Sequence, residues 1–184
     1  GEADLMATLT RSVLVTGFPG RQPAVHLVRE LASRTNRSVC CIVPEARLQR
    51  AEELLSALPD DARDRVSLWV GDPRSIDFGL SGDELAQLVE QVAVIHHCAS
   101  ITDPAATPEE ANGNIKATAE LLEFAESVPR LERIVFWSSA TVSGNREGFV
   151  REDELSDSMG FRNPVEESLY ECERMMREAT EEFS

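Results

Sequence analysis

Proton-transfer chemistry is restricted in this chain by its counts of tyrosine and lysine. The chain has one tyrosine, Tyr170, and one lysine, Lys116. Tyr170 and Arg174 are four residues apart, a spacing that places both on one face of a helix. Arginine stays protonated and differs from lysine in shape, so this pair is a poor proton relay. Tyr170 is therefore predicted to be an ordinary surface residue of an amphipathic helix.

A glycine-rich turn is the second feature with chemical meaning. Residues 13–20 read VLVTGFPG, a short apolar run followed by a turn that contains Gly17 and Gly20. In dinucleotide-binding folds such glycines let the backbone approach a pyrophosphate, which rests on the N-terminus of the next helix. This turn indicates a phosphate-binding loop.

The elements that would position these residues alternate along the chain. Apolar runs predict strands at 12–16, 38–43, 66–70, 92–97 and 134–138. Helical patterns are found at 25–33, 45–58, 82–91, 108–128 and 164–183. Alternating strands and helices predict βαβ units with right-handed crossovers. The fold class is therefore α/β, a Rossmann-like doubly wound parallel sheet. We expect residues 1–11 to be a tail or expression remnant and residues 12–184 to form one domain.

The charge of the chain limits its partners. The formal net charge is −15, which argues against nucleic acid or an anionic membrane as a partner. Residues 147–184 hold 12 acids and 4 arginines, which form either a solvated face or a docking face for a basic partner. No apolar run approaches the roughly 20 residues of a membrane span.

The cysteines do not indicate a metal site or a disulfide framework. Four cysteines are present, at positions 40, 41, 98 and 172, and a reduced, cytoplasmic chain accounts for them. The segment His96-His97-Cys98 resembles a ligand set, but adjacent strand residues point to opposite faces. We therefore predict no metal.

Five segments stand in the order of one known group of enzymes. They are TGFPG at 16–20, HHCAS at 96–100, NIKAT at 114–118, FWSSATVSG at 136–144 and GFRNP at 160–164. As a set they resemble the extended short-chain dehydrogenase/reductases, and most closely the fatty acyl-CoA reductase and thioester reductase group of male-sterility type. The resemblance runs from about residue 13 to 179. It implies NADP(H) or NAD(H) as the cofactor and a C-terminal substrate domain, and we expect this chain to lack that domain.

The resemblance also implies a catalytic tyrosine and a lysine four residues later. Aligned without gaps, this chain has Val165 at the tyrosine position and Leu169 at the lysine position, and neither side chain can transfer a proton. Ser139 matches the catalytic serine and Asn114 a helix asparagine of the family. Each has an equally good structural interpretation, Ser139 as a cap of the next turn and Asn114 as a hydrogen-bonding helix residue.

The cofactor positions that the resemblance implies are partly retained. Those retained are Thr16, Gly17, Gly20, Asp72 and Ala99. Pro23 stands near the third turn glycine and lacks an N–H for a phosphate. Val43 replaces the family's arginine for a 2′-phosphate, and Arg47 is a nearby alternative cation. We therefore expect weak or no dinucleotide binding.

Three functions remain open on this basis. The first is a catalytically inactive relative, a pseudoenzyme that serves as an interaction or scaffold module. The second is a sensor that binds NAD(P) without turning it over. The third is an active NADPH-dependent acyl thioester reductase that uses non-standard residues. Losses at both the catalytic and the cofactor positions favour the first.

The two long helices, 108–128 and 164–183, are predicted to mediate assembly. Many members of the resembled family dimerise through the corresponding helices, so a homodimer or a protein partner is expected here. The last helix has an apolar seam at Val165, Leu169, Cys172, Met176, Ala179 and Phe183. Leu121, Val128 and Met175 lie outside the predicted stripes and are candidates for the interface.

Overall fold

A five-stranded, all-parallel sheet organises the chain. The computed structural model describes residues 11–182. Its strands are β1 (Ser12–Thr16), β2 (Val39–Val43), β3 (Val66–Val70), β4 (Val92–His97) and β5 (Arg133–Phe136). Their spatial order is β3-β2-β1-β4-β5, which confirms the predicted α/β, Rossmann-like class.

The strands are apolar because both faces of the sheet are covered. Every residue of β1 and β2 is buried, as expected for the central strands of a parallel sheet with helices on each side. One core cluster is centred on Val15, Cys41 and Val43. The other, on the opposite face, includes Leu14 and Ile95.

The helices are α1 (Gln22–Arg34), α2 (Leu48–Ser56), α3 (Asp60–Arg63), α4 (Gly82–Gln91), α5 (Pro108–Ser127) and α6 (Pro164–Glu182). Short 3₁₀ turns occupy Glu45–Arg47, Ile76–Gly79 and Ala140–Ser143. The helix predicted at 45–58 is divided, because the backbone of Arg47 (φ −113°, ψ 1°) is not helical. The fifth strand begins and ends earlier than predicted, and α3 was not predicted.

Capping boxes determine where α4 and α5 begin. Ser81 caps α4 and pairs with Glu84, while Thr107 caps α5 and pairs with Glu110. In each box the hydroxyl accepts from a backbone N–H and the glutamate accepts from the cap residue's N–H. Pro108 adds a preset φ at the first position of α5.

Helices α5 and α6 pack against each other on one face of the sheet. The first half of the predicted seam is buried at Val165, Leu169 and Cys172, and Phe183 lies outside the described residues. The assignment of Leu121 and Val128 to an outer surface was wrong. Both are buried in the cluster beneath α5. The helix packs a wider stripe of side chains against the sheet than the spacing of its apolar residues suggested.

Strand β5 is at the edge of the sheet and pairs only with β4. Its Ile134 and Phe136 are partly buried. Among the described residues, no helix combines the length and the hydropathy of a membrane-crossing segment.

Candidate functional site

A cleft opens at the carboxyl ends of the strands, where the strand order reverses between β1 and β4. Ligands of open α/β sheets bind at this position. The cleft has a volume of about 240 Å³. Its lining comprises Gly17, Phe18, Gly20, Arg21, Ile42, Pro44, Arg47, Asp72, Pro73, Arg74, Ala99, Ile101, Gly113, Asn114 and Ala117.

Gly17 allows the turn after β1 to approach β4 closely. Its φ is +93°, and a Cβ at this position would lie 2.6 Å from the carbonyl oxygen of Cys98. Only glycine combines this conformation with this approach. Gly17 therefore shapes the floor of the cleft.

Thr16 was expected at the cofactor site, but it is buried beneath the cleft. Its Oγ1 lies 2.7 Å from Nδ1 of His97 and accepts the backbone N–H of Cys98 at 3.2 Å. It does not line the cleft. Thr16 thus ties the end of β1 to the end of β4, because a buried hydroxyl needs partners.

His97 is fully buried next to this contact and stacks on Phe136, with ring centroids 5.9 Å apart. Burial lowers the pKa of His97 to about 4, so the ring is neutral at pH 7. Within the described part of the chain, its Nε2 has no hydrogen-bond partner, and neither has the buried hydroxyl of Ser100. Both belong to the segment that leaves β4 toward the cleft.

Asp72 lies at the cleft, as the resemblance implied, but its carboxylate is already occupied. Arg74 donates to Oδ1 at 3.0 Å and to Oδ2 at 2.8 Å, and its backbone N–H adds a third bond at 2.9 Å. The side-chain hydrogen bonds from Arg74 lower the pKa of Asp72. The Arg74 side chain also extends toward Gly113, where a Cβ would lie 3.1 Å from its Cδ.

Two further arginines border the turn between β1 and α1. Arg21 donates to the hydroxyl of Thr102. Arg47 lies against Gly20, whose Cβ, if present, would be 2.3 Å from a guanidinium nitrogen. With Arg74, three arginines and one aspartate line the cleft of a chain with a net charge of −15. The cleft is thus locally basic and suited to an anion.

Asn114 joins three elements at the edge of the cleft. Its Oδ1 accepts the backbone N–H of Ile101 at 2.7 Å, and its Nδ2 donates to the Ile101 carbonyl at 2.9 Å and to Ser168 at 3.0 Å. Ser168 in turn donates to the Val165 carbonyl at 2.8 Å. These bonds connect the segment after β4 to α5 and α6 and give Asn114 a structural role.

Ser139 caps the 3₁₀ turn that follows β5. Its Oγ accepts the backbone N–H of Thr141 at 3.2 Å and lies 2.9 Å from the Thr141 hydroxyl. The side chain is partly exposed and does not line the cleft. This geometry is the capping arrangement that the sequence offered as the alternative to catalysis.

Val165 and Leu169 lie side by side on the buried face of α6. They are 3% and 1% exposed, and they pack with Ala111, Ala106 and Val142 in a small apolar cluster. The positions that the resemblance assigns to the proton relay are filled by closely packed hydrocarbon.

Tyr170 was expected on the surface, and that prediction was wrong. The residue is 8% exposed, and its ring lies 5.1 Å from that of Phe161. The loop before α6 folds back over this helix face, which a helical pattern alone could not reveal. Lys116 is exposed on α5 and does not line the cleft.

Within residues 11–182, no group of three or more histidines, cysteines or acids is arranged to hold a metal ion. The four cysteines are free and buried. Burial raises the pKa of Cys98 to about 12 and that of Cys172 to about 11. A thiol with a raised pKa is a weak nucleophile at neutral pH.

Similarity to a known family covers all the residues that line the cleft. The family model described as male sterility protein matches residues 15–183. The chain belongs to the male sterility protein family. The predicted resemblance to extended short-chain dehydrogenase/reductases of the thioester reductase branch is thereby confirmed. No curated protein matches the chain.

Solved structures place the fold in the same group. The terminal R domain of the myxalamid PKS-NRPS biosynthetic pathway superposes with a TM-score of 0.80 at 26% identity, over 94% of this chain and 46% of the other. The reductase domain of a nonribosomal peptide synthetase from Mycobacterium tuberculosis has a TM-score of 0.73 at 24% identity, over 97% and 49%.

A UDP-glucose 4-epimerase from Bifidobacterium longum, solved with NAD+ and UDP, has a TM-score of 0.66 at 24% identity, over 91% of this chain and 48% of the other. The last two similarities concern the fold alone. In each case the chain spans about half the length of the structure that it matches.

The structure brings together most of the residues predicted for a cofactor. The lining of one cleft includes Gly17, Gly20, Asp72 and Ala99 of that set, together with Asn114, which was predicted as a family position of the catalytic site. Thr16, Ser139, Val165 and Leu169 lie outside its lining. Sequence reasoning missed Arg21 and Arg74 as cleft residues. The sequence indicates them only by their positions, Arg21 just after the glycine-rich turn and Arg74 just after the segment that follows β3. The glycines and arginines present fit an anionic nucleotide.

Proposed function

We propose that this chain is a catalytically inactive member of its family, a pseudoenzyme that serves as a binding and interaction module. The observation that carries the proposal is the apolar cluster around Val165 and Leu169, which are both buried on α6. A proton relay needs groups that can exchange protons within hydrogen-bond reach of the reacting atoms. The hydrocarbon side chains of this cluster cannot do so.

The other candidates for proton transfer lie in unsuitable places. Tyr170 packs on Phe161, Lys116 is exposed on α5, and neither lines the cleft. Ser139 is engaged in capping. An active acyl thioester reductase with non-standard residues is therefore the less favoured alternative.

The test is oxidation of NADPH in the presence of acyl-CoA or acyl-carrier thioesters. We expect the wild-type chain to remain at background, because general acid–base catalysis typically supplies about 10²–10⁴-fold in rate. An active reductase domain of the same family serves as the positive control. Turnover well above background that Ser139→Ala abolishes would refute the proposal.

A second candidate function is dinucleotide binding without turnover. The intact cleft, with its positive-φ Gly17 and three arginines, favours retained binding of an anionic nucleotide. A bound cofactor would supply hydride chemistry, while the turn with Gly17 and Gly20 would only hold and orient it. This interpretation revises the expectation of weak or no binding, which rested on Pro23 and Val43.

A thermal shift with NADP+, NADPH, NAD+ and NADH separates the two functions. A ligand at about 100 times its Kd stabilises by about 2.7 kcal/mol, which amounts to several degrees for a domain of this size. If none of the four dinucleotides raises the melting temperature, the interaction role remains as the one proposed function.

The interaction role is proposed for the α5–α6 face, with a homodimer or a protein partner. We further propose that residues 12–184 form the binding domain and that the chain works in the reducing cytoplasm, in keeping with its free cysteines. Apart from Arg11, the segment predicted as a tail lies outside the described residues.

A further inference from the structure

We propose that Arg74 makes the cleft selective for a purine nucleotide whose base carries an oxygen at position 6, and selective against adenine. Guanine and hypoxanthine are bases of this kind. The proposal rests on the proposed binding of an anionic nucleotide, and it names the base that this nucleotide would carry.

Arg74 lies at the end of the cleft that is farther from the glycine-rich turn. The turn with Gly17 and Gly20 follows β1 and leads into the N-terminus of α1, a position suited to a phosphate. Arg74 follows β3, which is two strands away from β1. Neighbouring strands are about 4.8 Å apart, so about 10 Å separates the two ends of the cleft. A nucleotide with its phosphate at the turn thus directs its base toward Arg74.

The surroundings of Arg74 suit a flat ring. Pro73 precedes Arg74 directly, and Ile42 and Ala117 also line the cleft. Gly113, one helical turn before Ala117 on α5, leaves room for the arginine, because a Cβ there would lie 3.1 Å from Cδ of Arg74. The Arg74 side chain therefore extends from the end of β3 across to α5, beside the apolar residues that a base could contact.

Asp72 fixes the orientation of the Arg74 guanidinium. Nε of Arg74 donates to Oδ1 at 3.0 Å, Nη2 donates to Oδ2 at 2.8 Å, and the backbone N–H of Arg74 donates to Oδ1 at 2.9 Å. In the part of the chain that the structure describes, Asp72 is the one carboxylate of the cleft lining. The amino group of an adenine would have to compete with Arg74 for these oxygens.

The remaining donors of Arg74 match a different base. Asp72 uses the side of the guanidinium formed by Nε and Nη2, whereas Nη1 makes no hydrogen bond or ion pair within residues 11–182. Nη1 and the second hydrogen of Nη2 present two N–H donors side by side. O6 and N7 of guanine or hypoxanthine are adjacent acceptors that pair with such a fork, whereas adenine places an amino group beside N7. The free end of Arg74 therefore favours the 6-oxo base.

Calorimetric titration of the 184-residue chain with NAD+ and nicotinamide hypoxanthine dinucleotide tests the proposal, because these two ligands differ only in the purine base. AMP and IMP serve as the smaller matched pair. The variants are Arg74→Met and Arg74→Lys. Arg50→Met is the control, because Arg50 is exposed on α2, pairs with Glu53 at 3.2 Å and does not line the cleft.

We expect the wild type to bind the hypoxanthine dinucleotide about tenfold more tightly than NAD+, since a bidentate arginine–purine pair discriminates between bases to about this extent. Arg74→Met should reverse the preference, because the carboxylate of Asp72 then accepts the adenine amino group and repels O6. Arg74→Lys keeps the charge but lacks the planar fork, so it should bring the ratio to near one. Arg50→Met should behave as wild type, and AMP and IMP should follow the same order.

The ratio of the two affinities separates this inference from the proposed binding itself. Equal affinity for the two dinucleotides, a preference of the wild type for NAD+, or a 6-oxo preference that survives Arg74→Met refutes the role of Arg74 and leaves nucleotide binding standing. Failure of the folded wild type to bind any of the four ligands overturns both this inference and the proposed binding. Circular dichroism of each variant confirms that the fold is retained.

Discussion

The side chains at the carboxyl end of β4 link stability to pH. His97 is fully buried, and its Nε2 has no hydrogen-bond partner among residues 11–182. Burial lowers the pKa of His97 from 6.5 to about 4. Between these values the unfolded chain takes up a proton that the folded chain does not. The contribution of His97 to stability is therefore present above about pH 6.5 and is lost as the pH falls toward 4.

We expect this residue to remove about 3 kcal/mol of unfolding free energy between about pH 7 and pH 4. Urea denaturation across this range measures the effect. His97→Asn should flatten the pH dependence, whereas His26→Gln, at an exposed position on α1, should leave it unchanged. Identical pH profiles for wild type and His97→Asn would contradict the assignment.

Gly17 provides a second test at the residue scale. Gly17→Ala places a Cβ 2.6 Å from the Cys98 carbonyl oxygen at a φ of +93°. We expect a loss of about 3 kcal/mol, from the left-handed conformation and the displacement of β4. Gly82→Ala is the control, because a Cβ there meets nothing within 4 Å. Equal stability of Gly17→Ala and Gly82→Ala in chemical denaturation would show that the turn at Gly17 does not lie as close to the Cys98 carbonyl as described.

At the scale of elements, the arrangement of α5, α6 and the segment after β4 depends on one amide. Asn114 makes three side-chain hydrogen bonds, two to Ile101 and one to Ser168. The positions that the resemblance assigns to the relay lie between this network and the Val165–Leu169 cluster. The same helix pair therefore has a structural use that does not need a proton relay.

Removing that amide should loosen the junction of the three elements. Asn114→Ala removes three hydrogen bonds, two of them to the part-buried backbone groups of Ile101, and each hydrogen bond contributes about 0.5–1.5 kcal/mol. We expect a total loss of about 3 kcal/mol in urea denaturation. Asn112→Ala, at an exposed position on the same helix, should lie within about 0.5 kcal/mol of wild type. A loss below about 1 kcal/mol for Asn114→Ala would refute the role.

For the whole molecule, self-association through α5 and α6 stays a prediction. The described structure changes which residues test it, because Leu121 and Val128 are buried. Leu122 and Met175 are partly buried and are the better candidates for an interface. Acidic residues would have to stay at the rim, where salt screens their repulsion.

Light scattering over a concentration series measures the association. We expect the wild type to dimerise, and Leu122→Glu and Met175→Glu to shift the equilibrium to monomer without unfolding the chain. Leu121→Glu, by contrast, should unfold it, because a buried charge without a partner is strongly unfavourable. A wild-type chain that is monomeric at every concentration would refute the predicted homodimer.

The sequence by itself determined the fold class and the order of most elements, and it predicted the loss of the relay. Strand–helix alternation is a local pattern, and Val165 and Leu169 lack titratable groups in any environment. Only the tertiary structure decided which residues meet. Thr16 proved structural because β1 and β4 are neighbours, and Tyr170 is buried because a distant loop covers it. Arg47 joined the cleft because a 3₁₀ turn redirects the chain. These contacts depend on long-range packing, which sequence spacing does not encode.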